Sequence, residues 1–246
     1  MAINLKTVDK LISITSPLDL VIYGGKSPIS NVIVSIQKWR HNNQNIQNTQ
    51  YTGQKDSTRQ TAQNTSHVGI VISSESCPWL NLQPGKLYIW ESTIGSLLNY
   101  KKSIYPLGES VFGVQIKPLR ESLTAYITTE GANVGICKLK NNPFNNLTQI
   151  PLRQAYKEKL FDIYQKYGNA KFDMNFFQYL SMIFPITNPI RDMSFEIFGN
   201  DSLVCSEFIA VVYKELKVLS ADTKTYEMFP ADLVSNTAFA NPIWLF

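Results

Sequence analysis

The chain has 246 residues, 44% of them hydrophobic and 17% charged, with a formal net charge of +4. That length and apolar content suit one globular domain with a substantial buried core. The mild basicity comes without a Lys/Arg run or a basic-aromatic stripe, so nucleic acid is not implied. Three widely spaced cysteines, Cys77, Cys137 and Cys205, form no C-x-x-C pair and no disulfide framework, which points to a reducing setting.

The first segment, Met1 to Tyr23, lacks the charged-then-apolar plan of a signal peptide, and no window reaches the roughly 20 apolar residues of a spanning helix. A cytoplasmic location is the default expectation. "DLVIY", Asp19 to Tyr23, reads as a strand, followed by a Gly-Gly turn and an amphipathic helix, "SPISNVIVSIQKW", with Ser27 as cap and Pro28 at its first position. "GGKS" is not a phosphate-binding loop, because Leu20 stands where the pattern requires a glycine. Residues 41–65 hold almost no large apolar side chains and read as a mobile polar insertion at the mouth of a cleft. His41 lies within it and reads as solvated.

Period-two patterning then predicts strands at Ser66–Ile72, Lys86–Thr93, Ser110–Ile116 and Asn133–Leu139, an antiparallel meander. Alternation places His67, Gly69 and Val71 on one face of the first, and Leu87, Ile89 and Glu91 on one face of the second. A carboxylate among apolar neighbours needs a partner, and an imidazole across the ladder supplies one. Gly69 suggests close approach, expected to be that of a helix packed over His67. A helix from Pro151 to about Tyr167 ends at Gly168. The apolar "FFQYLSMIFPI", Phe176 to Ile186, reads as a buried helix, with peripheral membrane contact as its other reading.

The last long helix carries Cys205, Phe208, Ile209, Val212 and Leu216 on one face. Periodicity alone makes Cys205 a small core residue. Its position adds a second reading, because a cap at Asp201 or Ser202 leaves Cys205 in the first turn, where unbonded N–H groups and the helix dipole favour a thiolate. Cys205, His67 and Glu91 then supply a nucleophile, a base and an orienting carboxylate. No metal is needed, and one histidine with scattered cysteines makes a poor zinc site.

"DLVIYGGKSPIS", "SHVGIVI", "WEST", "YGNAKFDMNFF", "LVCSEFIAVVYKEL" and "FPADL" resemble, in sequence and order, the permuted branch of the NlpC-type papain-like superfamily, the YiiX-like proteins, with lecithin:retinol acyltransferase as a distant relative. The likeness runs from about Asp19 to Leu233, excepting the insertion, and "SHVGIVI" and "VCSEF" are its most specific pieces. It implies an α+β, circularly permuted papain-like domain over residues 1–246, with an antiparallel sheet or barrel and the cysteine helix after the strands. It also implies a cysteine-dependent hydrolase with Cys205 as nucleophile, His67 as base and Glu91 as third residue. The oxyanion donors would be the Cys205 backbone N–H and Tyr23, and no cofactor is required. Asp19, Ser206, Glu207 and Asp232 match other motif positions and read as structural. The expected substrate is an amide or peptide bond; an acyl lipid, as for a transferase or phospholipase, and a non-catalytic binding module are the other readings.

Overall fold

The computed structural model describes residues 5–26, 30–31, 33–39, 62, 64–93, 113–146, 148–171 and 204–245. Expectations about Ser27, Pro28, His41, Phe176–Ile186, Asp201 and Ser202, and about most of the 41–65 segment, fall outside them. The described part is α+β. It contains α1 (Leu5–Ser13), β1 (Leu20–Gly24), β2 (His67–Ser73), β3 (Leu87–Thr93), β4 (Gly113–Pro118) and α2 (Leu119–Glu130). It continues with β5 (Asn133–Cys137), α3 (Ile150–Tyr167), α4 (Cys205–Glu215), α5 (Pro230–Val234) and β6 (Ile243–Trp244).

The strands form one six-stranded sheet in the order β4-β3-β2-β1-β5-β6, and every pairing is antiparallel. The expected meander of four strands holds for β2 to β4, and β1 adds to it beside β2. It fails at β5, which returns to pair with β1 and not with β4. The cause is α2, a helix that the strand-centred reading of this stretch overlooked. It crosses from the β4 edge to the other side of β1, and Gly131 stops it in the left-handed conformation (φ 58°).

Alternation along the strands divides the core in two. Leu20, Ile22, Val68, Ile70, Ile72, Trp90, Val114 and Ile116 face one layer with α3 and α4. Val21, Tyr23, Val71, Ile89, Val134 and Ile136 face the other, with Val8 and Leu11 of α1 and with Leu119, Leu123, Tyr126 and Ile127 of α2. Helices on both faces explain why β2 and β3 are buried along nearly their whole length. Burial at roughly 25 cal/mol per Å² of apolar surface is the main stabilising term of such an arrangement.

Ala62 and Thr65 are buried, and Gln37 donates from Nε2 to the Thr65 carbonyl at 2.8 Å, so the chain is already packed before β2 begins. Among the described residues no helix is long and apolar enough to cross a membrane.

Candidate active site

His67 is the first residue of β2, and Glu91 lies on the neighbouring strand β3, on the same face. The register pairs Val71 with Ile89, which carries Glu91 to the level of Gly69 and sets His67 on its diagonal. His67 Nε2 stands 2.8 Å from Glu91 Oε2. The Glu91 side chain is fully buried and that of His67 is 14% exposed, so one edge of the imidazole reaches solvent while the carboxylate does not.

Gly69 makes this diagonal contact geometrically available, though for a different reason from the one expected. A Cβ there would lie 2.5 Å from Ile89 Cδ1, 2.6 Å from Ile89 Cγ1 and 3.3 Å from Glu91 Cβ. The space is therefore taken by the adjacent strand, not by the cysteine helix, which packs on the opposite face of β2 against Val68, Ile70 and Ile72. The helix on the His67 side is α2, whose Tyr126 ring lies 5.5 Å from the imidazole at an interplanar angle of 21°.

Cys205 is the first residue of α4, and the N-cap position is Val204, whose side chain makes no capping bond. The cap thus falls nearer the cysteine than Asp201 or Ser202 would have put it. The first hydrogen bond of the helix runs from Phe208 N–H to the Val204 carbonyl at 2.9 Å, so the Cys205 N–H takes no part in the helix ladder. Phe208, Ile209, Val212 and Leu216 are buried as the apolar stripe requires, and Ala210 and Tyr213 extend burial around the helix. Cys205 itself is 6% exposed.

Cys205 lies close enough to His67 for its sulfur to act on the imidazole. Since Nε2 faces Glu91, Nδ1 is the ring nitrogen left for the sulfur. Burial works against a charged imidazole, but the charge and hydrogen bond of Cys205, followed by those of Glu91, outweigh it and raise His67 to about 10. Burial pushes the thiols of Cys77 and Cys137 up to about 12. All three cysteines are free.

The structure brings Cys205, His67 and Glu91 together. Tyr23 is placed differently from an oxyanion donor. It is fully buried in the core layer with α2, its ring centroid is 5.3 Å from His67 and 4.0 Å from Tyr126, and its hydroxyl has Ser122 Oγ at 3.5 Å. Its observed place is in an aromatic wall beside the imidazole. Asp19 accepts from Ser16 N–H at 2.7 Å, Leu139 N–H at 3.0 Å and Lys138 Nζ at 2.6 Å, tying β1 to the chain after β5. Asp232 accepts from the Phe229 N–H at 2.9 Å at the start of α5.

Sequence reading missed Tyr126 and Lys117. The spacing of Leu119, Leu123, Tyr126 and Ile127 carried a helical signal for the first. Lys117 lay one residue beyond the predicted end of its strand, yet it is buried, and its Nζ is 3.9 Å from Glu91 Oε1. Among the described residues no group of histidine, cysteine and carboxylate side chains forms a metal-binding cluster. The chain matches no protein-family model and no curated protein sequence.

Proposed function

We propose that this chain is a cysteine-dependent hydrolase of amide or peptide bonds, with the circularly permuted papain-like organisation that its motif order resembles. The observation that carries the reading is the series Glu91, His67, Cys205, with the sulfur on the first residue of a helix.

In this reading His67 accepts the Cys205 proton and the imidazolium is held by Glu91. The thiolate attacks the acyl carbon, and the carbonyl electron pair moves onto oxygen, which faces the Cys205 N–H at the helix terminus. The oxyanion then collapses, the C–N bond breaks, and the departing amine takes the His67 proton. A water molecule next loses a proton to His67 and attacks the thioester. Collapse of that second intermediate breaks the C–S bond, releases the carboxylic acid and returns the thiolate. Each step uses groups already within one series, so little reorganisation accompanies the chemistry.

The test is labelling with an electrophilic acyl probe together with hydrolysis of a panel of peptide amides and acyl lipids. Wild-type protein labels at Cys205 and turns over an amide, whereas Cys205→Ser does neither. A wild-type protein that neither labels nor hydrolyses any member of the panel removes the enzymatic reading in favour of a binding module. Turnover confined to acyl lipids replaces the amide with a lipid ester.

A further inference from the structure

Glu91 uses one oxygen for His67. The other, Oε1, has no hydrogen-bond partner among the described residues, and the ammonium of Lys117 on β4 lies 3.9 Å away. Neither group is at the surface: the Lys117 side chain is 7% exposed and Glu91 is fully buried. Gln115, two residues before Lys117 and directly opposite Glu91 in the β3–β4 ladder, is buried as well, and its Nε2 has no hydrogen-bond partner among the described residues. The side of Glu91 turned from the imidazole thus has an ammonium near it, with Gln115 as the ladder neighbour.

Charge arithmetic gives this placement its meaning. A thiolate, an imidazolium and a carboxylate together carry one net negative charge, and an uncompensated buried charge is costly. Lys117 brings the sum to zero. Among the described residues on this face, Tyr23 of β1 and Tyr126 and Ser122 of α2 are neutral, and Arg120 and Glu121 of α2 lie exposed. Burial lowers the Lys117 pKa while the charge of Glu91 raises it, a mutual dependence expected of a matched pair.

We infer that Lys117 is a positioning residue for the thiol chemistry: a buried counter-ion on β4 that balances the Glu91 carboxylate and thereby supports the His67–Cys205 pair. The assignment rests on the hydrolase reading above. It places a fourth member in the series, so that charges alternate from Cys205 through His67 and Glu91 to Lys117.

The experiment is the pH profile of iodoacetamide alkylation at Cys205, resolved by peptide mapping, for wild type, Lys117→Met, Lys117→Arg, Glu91→Gln and the Glu91→Gln/Lys117→Met double variant, each with a thermal melt. Removing a positive charge raises the proton affinity of the neighbouring site, so Lys117→Met moves the acidic limb up by about one pH unit and lowers the rate near about pH 6 roughly tenfold. Lys117→Arg keeps a profile close to wild type. With Glu91 already neutral, the same lysine change alters the rate by about twofold or less. If Lys117→Met fails to fold, the double variant must fold, since the uncompensated carboxylate is then gone; failure of both overturns the assignment. A Lys117→Met profile superimposed on wild type, or an equal shift with Lys117→Arg, also overturns it while leaving the hydrolase reading intact. A wild-type Cys205 no faster near about pH 6 than an ordinary thiol of pKa near 8.5 defeats both.

Discussion

His67 Nε2 and Glu91 Oε2 meet at 2.8 Å across two adjacent strands, and this contact fixes which face of the imidazole ring is offered to Cys205. A histidine held through Nε2 presents Nδ1, and rotation of the ring would exchange one contact for the other. Removing the charge while keeping the shape therefore tests orientation. Glu91→Gln should reduce labelling and turnover yet retain about 10 to 100 times the residual activity of Cys205→Ser or His67→Ala, because an orienting group removed alone costs less than the nucleophile or base. Equal losses for all three variants would show that Glu91 does more than orient.

The three cysteines should separate cleanly in a competition for limiting iodoacetamide. Cys205 lies at a helix N-terminus beside an imidazole, whereas burial drives Cys77 and Cys137 to about 12. Alkylation near neutral pH should map to Cys205 and leave the other two untouched until the protein unfolds. Modification of Cys77 or Cys137 at a comparable rate would mean that reactivity is not special to the thiol at the helix terminus.

The pH dependence of stability follows from His67, whose folded value of about 10 lies above the ordinary 6.5. The folded chain therefore holds this proton more tightly than the unfolded chain. The resulting stabilisation is present below the unfolded value and is lost as pH rises through the folded one. In thermal melts, the advantage of wild type over His67→Ala should shrink between about pH 7 and about pH 10. Turnover should also fall above about pH 10, where a neutral imidazole has no proton for the leaving amine. A stability difference that grows over this interval would reverse the sign and contradict the ion pair.

Gly69→Val should harm both fold and site. Its branched side chain would enter the volume of Ile89 and press on Glu91 Cβ, and over-packing of this kind costs typically about 1–3 kcal/mol. Because Glu91 is displaced along with Ile89, alkylation at Cys205 should slow even in the fraction that folds. Cys205→Ser, by contrast, should melt close to wild type. If Gly69→Val melts like wild type, the close approach of Ile89 is not what the glycine serves.

Asp19 provides a purely structural comparison. It is fully buried, and Asp19→Ala would leave the Ser16 and Leu139 N–H groups without their acceptor and the partly exposed Lys138 without its carboxylate, a loss of about 1–3 kcal/mol. Its effect should fall on the melting temperature and leave the shape of the alkylation profile unchanged. A shifted profile would connect this ion pair to the site.

The parts of the molecule that sequence patterning foretold are those in which period and chemistry coincide. Alternation in "SHVGIVI" and "LYIWEST" was enough to place His67 and Glu91 on one face, and the three-four spacing after Cys205 gave the apolar stripe of α4. What escaped was set by distant packing. Pairing of β5 with β1 depends on the crossing of α2, whose stripe of Leu119, Leu123, Tyr126 and Ile127 is short and flanked by threonines such as Thr124 and Thr128, residues of low helix propensity. Lys117 is a charged residue at a strand end, which ordinarily faces water; the neighbouring carboxylate is a partner that patterning along one strand does not show. Gly69 announced a close contact, but a glycine carries no information about which neighbour fills its space.

The cysteine helix lies across β2 and β3 yet follows both of them in the chain. During synthesis, which proceeds from the N-terminus, the sheet can form its meander before this helix exists. Until then Val68, Ile70, Ile72 and Trp90 lack the cover that Phe208, Ile209 and Val212 later provide, and His67 has no sulfur to activate. An unfinished chain is consequently sticky and chemically silent at once. The same eleven-residue helix covers that apolar surface and brings Cys205 beside His67, so burial of the sheet and assembly of the candidate site are one event.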